Sequence, residues 1–99
     1  MTPEDKRVLY RFTEACRKWR TLLWASYVSM DTELADLNAD VDENSAKRVH
    51  ADSEFWPEYR LVYICGDREQ IGKMGPQQVD DVARHELCHV LVGSLNDVA

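Results

Sequence analysis

The chain opens on a run in which apolar residues recur every three to four positions. Val8, Leu9, Phe12, Ala15, Cys16 and Trp19 line one side of a helix, with charged residues between them. Thr2-Pro3-Glu4-Asp5 supplies the start: a hydroxyl N-cap, a proline in the first turn, and acids at the positive end of the dipole. This pattern predicts an amphipathic helix from residue 3 to about residue 20. Leu22 to Met30 is aromatic and β-branched and predicts a strand, although Thr21–Leu23 could equally prolong the helix. Asp31 to Ser45 is polar and acidic and is expected to form a long loop, with room for one helical turn at Thr32–Leu37.

Weak alternation over Ala46 to Ser53 predicts an edge strand, and Phe55-Trp56-Pro57 predicts a bend. Tyr59 to Cys65 is the clearest strand and is stopped by Gly66-Asp67. Gly72, Gly75 and Pro76 bound a loop, and Pro76 suits the opening of a second helix. The apolar positions Val79, Val82, Ala83, Leu87, Val90 and Leu91 carry that helix to about Val92, where Gly93 is expected to end it. The order helix, strand, strand, strand, helix places the chain in the α+β class, around a small, mainly antiparallel three-stranded sheet.

A length of 99 residues fits a single domain spanning 1–99. With 44% apolar and 30% charged residues the chain reads as globular, not disordered. The longest uninterrupted apolar run, Leu61 to Cys65, is far short of the ~20 residues a membrane span needs. The first ten residues are charged where a secretion signal would be apolar. Cys16, Cys65 and Cys88 are an odd number, which fits reduced thiols in a cytoplasm, and each is expected to be a small buried hydrophobe.

Charge is spread unevenly. Residues 1–20 hold six bases (Lys6, Arg7, Arg11, Arg17, Lys18, Arg20) against three acids, whereas residues 21–99 carry a net charge of −9. Within the acidic part, Asp31, Glu33, Asp36, Asp40, Asp42 and Glu43 form a block without a compensating base. A surface of this sign repels nucleic acid and suits a basic partner, although a charge run by itself more often only keeps a surface solvated. The basic side of the first helix could touch another protein or simply be solvated.

The second helix contains His85-Glu86-Leu87-Cys88-His89, an H-E-x-x-H pattern. Residues four apart lie one above the other on a helix, so both imidazoles can reach a single zinc ion. The glutamate then stands beside them, placed to take a proton from an attacking water. Two histidines so spaced can also arise by chance on an exposed helix face.

With the helix and sheet before it, the segment Ala83-Arg84-His85-Glu86-Leu87-Cys88-His89-Val90-Leu91 resembles small zincin-like metallopeptidases, including ones encoded by phages. The resemblance implies His85 and His89 as zinc ligands and Glu86 as general base. A catalytic zinc needs a third protein ligand. The gluzincin glutamate on a later helix has no counterpart in the ten residues after His89, and the longer metzincin signature is replaced by Val92 and Leu95. Asp97 is the candidate among those ten, and His50 is a conceivable substitute, although a lone histidine on an edge strand is more often a surface residue. Arg84 and Tyr63 are candidates for the electrophile that would assist at the carbonyl.

The expectation is therefore a degenerate zincin-like scaffold reused as a binding protein. Its size and acidity resemble those of phage anti-CRISPR inhibitors that mimic DNA. Asp31, Glu33, Asp36, Asp40, Asp42, Glu43, Asp52 and Glu54 would meet a basic nucleic-acid-binding host protein in the host cytoplasm; Phe55 and Trp56 could serve there as apolar anchors, although such residues more often pack in the core. In this reading the protein is a monomer that touches neither nucleic acid nor membrane. The alternatives are a zinc metallopeptidase completed by Asp97 or by a residue of a second copy, and a structural metal held by His85, His89 and other ligands.

Overall fold

A computed structural model describes residues 2–24, 28–39 and 48–98, with side chains described over 2–23, 28–39 and 48–90. The elements in chain order are α1 (Pro3–Trp24), β1 (Ser29–Ala35), β2 (Ala51–Trp56), a 3-10 turn (Pro57–Tyr59), β3 (Leu61–Asp67), α2 (Arg68–Lys73) and α3 (Pro76–Val98). The class is α+β. The first helix starts as its sequence dictates: Thr2 Oγ1 accepts the Asp5 N–H at 3.1 Å, satisfying one of the free amides of the first turn.

The sheet order is β1-β3-β2. β2 runs antiparallel to β3, but β1 runs parallel to it, from Ser29 opposite Leu61 to Ala35 opposite Asp67. The sheet is mixed, which corrects the expectation of a mainly antiparallel one. The first strand also lies later than expected. The helix continues to Trp24, and the strand occupies the acidic stretch predicted to be a loop. Met30, Thr32 and Leu34 alternate with Ser29, Asp31 and Glu33, and this period of two lets one side of the segment pack while the other meets solvent.

α1 and α3 pack against one another on one face of the sheet, α1 over β1 and α3 over β2. Their buried stripes are Val8, Phe12 and Cys16 on α1, and Val79, Ala83, Leu87 and Val90 on α3. These meet Leu34, Val62 and Ile64 from the strands to form the core. Every apolar position that predicted the first helix is in this core or packed against it. Several of the α1 bases serve the fold: Arg11 donates to the Met74 carbonyl at 3.1 Å, Arg20 to the Val28 carbonyl at 3.3 Å, and Lys18 pairs with Asp80.

α2 is an addition to the expected order. Asp67, the last residue of β3, accepts the Gln70 N–H at 2.9 Å and so caps the helix. Gly93 does not end α3, which runs on to Val98. Phe55-Trp56-Pro57 is the predicted bend, where β2 gives way to the 3-10 turn. The expected edge strand begins at Ala51, and the residues 46–47 assigned to it lie outside those described. Among the described residues, no helix is long and apolar enough to cross a membrane.

Candidate functional site

The buried stripe of α3 fixes which way its other residues face. With Ala83 and Leu87 at 0% exposure, His85 and His89 fall on the exposed flank and Glu86, one step round, is half-buried. The two imidazoles converge. Their Nε2 atoms are 2.9 Å apart, with ring centroids 4.4 Å apart and planes at 71°. Two ring nitrogens this close need something electropositive between them, which a shared proton or a cation supplies. In a tetrahedral zinc site with Zn–N of ~2.0–2.1 Å the ligand nitrogens stand about 3.3 Å apart. The pair therefore fits two corners of such a site with a few tenths of an ångström of adjustment.

Beside this pair lies a cleft of about 350 Å³ lined by His50, Asp81, Val82, His85 and Glu86. His50 comes from the other wall. It immediately precedes β2, and its carbonyl accepts the Asp67 N–H at 2.8 Å, extending the β2–β3 ladder by one step. Its neighbour Val49 is gripped from both sides by the Asn38 amide, which donates to the Val49 carbonyl at 2.8 Å and accepts the Val49 N–H at 2.7 Å. Asp67, only 3% exposed, ties in the chain after β1 by accepting the Leu37 N–H at 2.9 Å. The backbone on both sides of His50 is thus fixed by hydrogen bonds to other elements.

Among the described residues, no three His, Cys, Asp or Glu side chains are grouped so that they could hold a metal ion together. His50 shares the cleft without joining the histidine pair as a ligand. The side chain of Asp97 lies outside those described. The two residues expected as electrophiles are not in the cleft lining. Arg84 stands over the Trp19 ring, 5.6 Å from its centroid, and 3.8 Å from Asp81. Tyr63 is on the opposite face of the sheet.

Glu86 reaches electrostatically toward α1. The buried Cys16 thiol is pushed up to about 12, first by loss of solvent and then by the negative charge of Glu86. Cys65 is also buried, but Cys88 is exposed, against the expectation that all three would be core residues; all three are free thiols.

The sheet face turned away from the helices carries a second constellation. The register lines up Asp31, Tyr63 and Glu54 in one row, and Glu33, Cys65 and Asp52 in the next. Four of the expected partner-binding acids, Asp31, Glu33, Asp52 and Glu54, therefore share one open surface. Their effect is visible on the groups between them. A hydrogen bond to the Glu33 carboxylate, aided by desolvation and nearby negative charge, pushes Tyr63 up to about 12. Burial, followed by Glu33 and other carboxylates, raises Cys65 to about 11.

Asp36 lies off this face and pairs with Arg68 at 3.0 Å. Asp40, Asp42 and Glu43 lie outside the described residues. Trp56 is 44% exposed and donates its Nε1–H to Glu54 at 3.2 Å, so it stands at the edge of the surface. Phe55 faces the other way and packs against the core, which removes it as a surface anchor.

The sequence brings His50 to the motif only as a conceivable third ligand; its place in the cleft with Glu86, and the roles of Asn38 and Asp67 in holding its backbone, are not legible there. An Asn and an Asp at the ends of neighbouring segments are the visible signal, since both types bond readily to backbone groups. No protein-family model, curated protein or solved structure matches this chain.

Proposed function

We propose that the protein is a zinc-dependent peptide hydrolase with a zincin-like arrangement around α3. The observation that carries this reading is the approach of His85 and His89 to 2.9 Å between their Nε2 atoms, with Glu86 in the adjoining cleft. His85 and His89 would hold the ion, with Asp97 or a residue of a second copy as third ligand. Zinc held there would supply Lewis acidity toward a peptide carbonyl oxygen.

The chain's own groups supply the proton movements. Glu86 takes one proton from the attacking water as its oxygen bonds to the carbonyl carbon, then passes that proton to the amide nitrogen as the C–N bond breaks. Among the described residues, β2 is at the edge of the sheet and beside α3, a place where an extended peptide could lie. The reduced thiols suit a cytoplasmic setting.

Glu86→Gln tests this directly with fluorescein-labelled casein. The variant should keep the metal content of wild type and lose roughly 100-fold or more in hydrolysis, the usual share of a positioned general base. Equal hydrolysis by the two proteins would overturn the reading.

The four carboxylates on the open sheet face favour a second function, that of an inhibitor occupying the basic groove of a nucleic-acid-binding host protein. That function predicts loss of partner binding when Asp31, Glu33, Asp52 and Glu54 are changed to lysine, and steep weakening with salt. It predicts no effect of Glu86→Gln.

A further inference from the structure

We infer that the open face of the sheet docks a basic amphipathic α-helix of a protein partner. The helix lies along β3, with its apolar stripe on Leu61 and Tyr63 and its lysines and arginines over the carboxylates of β1 and β2. This is independent of the hydrolase; it rests on the partner-binding reading above and names the element that the partner presents.

The long helices cover one side of the sheet, and the register fixes what the other side shows. Beyond the two rows that hold the carboxylates it adds a third, Ser29, Leu61 and Trp56. The middle column, from β3, is apolar and aromatic and at least half-buried, whereas the positions on either side of it are all exposed. Carboxylates thus form a rail along each side of an apolar track. Trp56, 44% exposed at the end of the track, is the residue type that most often anchors a protein contact. Every charge that acts on Tyr63 and Cys65 is negative, so a cation brought between the rails relieves repulsion there.

The dimensions select a helix. Neighbouring strands stand about 4.8 Å apart, which sets the two rails about 10 Å apart, the width of an α-helix. A helix laid on β3 sends side chains to both flanks. An extended segment aims its inward side chains along a single line, because they alternate at a period of two. A hollow of about 120 Å³ beside the track is lined by Asp52, Ser53, Glu54, Tyr63 and Cys65. Small-molecule sites run from about 300 Å³ upward, so this one takes a single side chain. A lysine meets its chemistry, with an aliphatic stem for Tyr63 and Cys65 and an ammonium for Asp52 and Glu54.

The test uses two fluorescein-labelled leucine/lysine peptides of identical composition, read by fluorescence anisotropy. One repeats its leucines every three to four residues and forms a basic amphipathic helix; the other alternates leucine with lysine and is extended. Wild type should bind the helical peptide roughly 10-fold more tightly than the alternating one, and more weakly as salt rises. Asp31→Asn with Glu33→Gln, and Asp52→Asn with Glu54→Gln, each neutralise one rail and should each weaken the helical peptide about 5-fold. Tyr63→Ala removes the track and should weaken it about 10-fold. The rail variants change only exposed side chains and carry the test if Tyr63→Ala unfolds.

Equal affinity for the two peptides would overturn the helix seat and leave a face that binds by charge alone. No binding of either would remove the partner-binding reading as well. Unchanged affinity in both rail variants would put the peptide elsewhere on the molecule and overturn the assignment. Light scattering of the protein alone at low salt should give a monomer. A salt-sensitive oligomer lost with either rail would make a second copy the occupant, through the basic side of its α1, and would overturn the assignment too.

Discussion

Replacing Gly66 with alanine tests how closely α1 is seated on the sheet that carries the cleft. Gly66 lies in β3 opposite Ala51, the residue next to His50. A Cβ there would stand 3.0 Å from Phe12 Cε2 and 3.2 Å from both Phe12 Cδ2 and Ile71 Cγ1. Carbon atoms at rest prefer separations of about 3.5–4.0 Å. Phe12 is 0% and Ile71 1% exposed, so neither side chain has open space to move into.

Overpacking of this kind costs about 1–3 kcal/mol. Stiffening the unfolded chain by removing a glycine returns only about 0.4–1 kcal/mol. The net expectation is a loss of about 1–2 kcal/mol, a fall in Tm of roughly 5–15 °C for a chain this small. Urea and thermal unfolding measure it. Trimming the ring with Phe12→Leu should relieve part of the clash, so the double variant should be more stable than the summed single effects by about 0.5 kcal/mol or more. A Gly66→Ala protein as stable as wild type, or strictly additive single effects, would refute the tight Phe12–Gly66 seat.

Three further outcomes follow from the charges and thiols. With a thiol reagent at pH 8, Cys88 should react in the native protein, whereas Cys16, raised to about 12 by burial, should react only on unfolding; equal rates would contradict the packing of α1. In an ultraviolet titration Tyr63 should ionise near pH 12, and Glu33→Gln should bring it down toward the ordinary tyrosine value near 10; an unchanged titration would remove the Glu33 hydrogen bond. The hydrogen bond from Lys18 holds Asp80 below the usual carboxylate range, so its folded value is depressed. Its contribution is complete above the unfolded value of about 3.9 and is lost as pH falls through the folded one. Lys18→Met should therefore flatten the acid limb of the stability profile below about pH 4, and identical limbs would argue against the pair.

Much of the architecture is legible in residue pattern alone. The spacing of Val8, Phe12 and Cys16, and of Val79, Ala83, Leu87 and Val90, identifies two helices that bury the stripes expected of them. Pro76 marks the start of α3 because its missing N–H costs nothing in a first turn. β1 was hidden by its charge. Asp31 and Glu33 read as loop residues until their alternation with Met30, Thr32 and Leu34 is recognised as one wet and one dry face. Parallel pairing of β1 with β3 depends on a long connection through β2, and such long-range order has no local signature.

The site divides in the same way. His85, Glu86 and His89 are local to one helix, so helical geometry alone brings them together. His50 enters the cleft through the β2–β3 register and the Asn38 clamp, interactions between segments distant in sequence. Gly93 shows the limit of a single-residue signal, since α3 continues through it to Val98. A glycine lowers helix stability by only about 1 kcal/mol, which the rest of a long helix can outweigh.

Zinc content decides whether His85 and His89 form a metal centre. Untagged wild type and His85→Ala would each be loaded with zinc, dialysed and analysed for metal per chain. The convergence of His85 and His89 predicts one zinc per wild-type chain and none in the variant. Wild type without zinc, or His85→Ala with as much zinc as wild type, would contradict the metal centre and the hydrolase built on it.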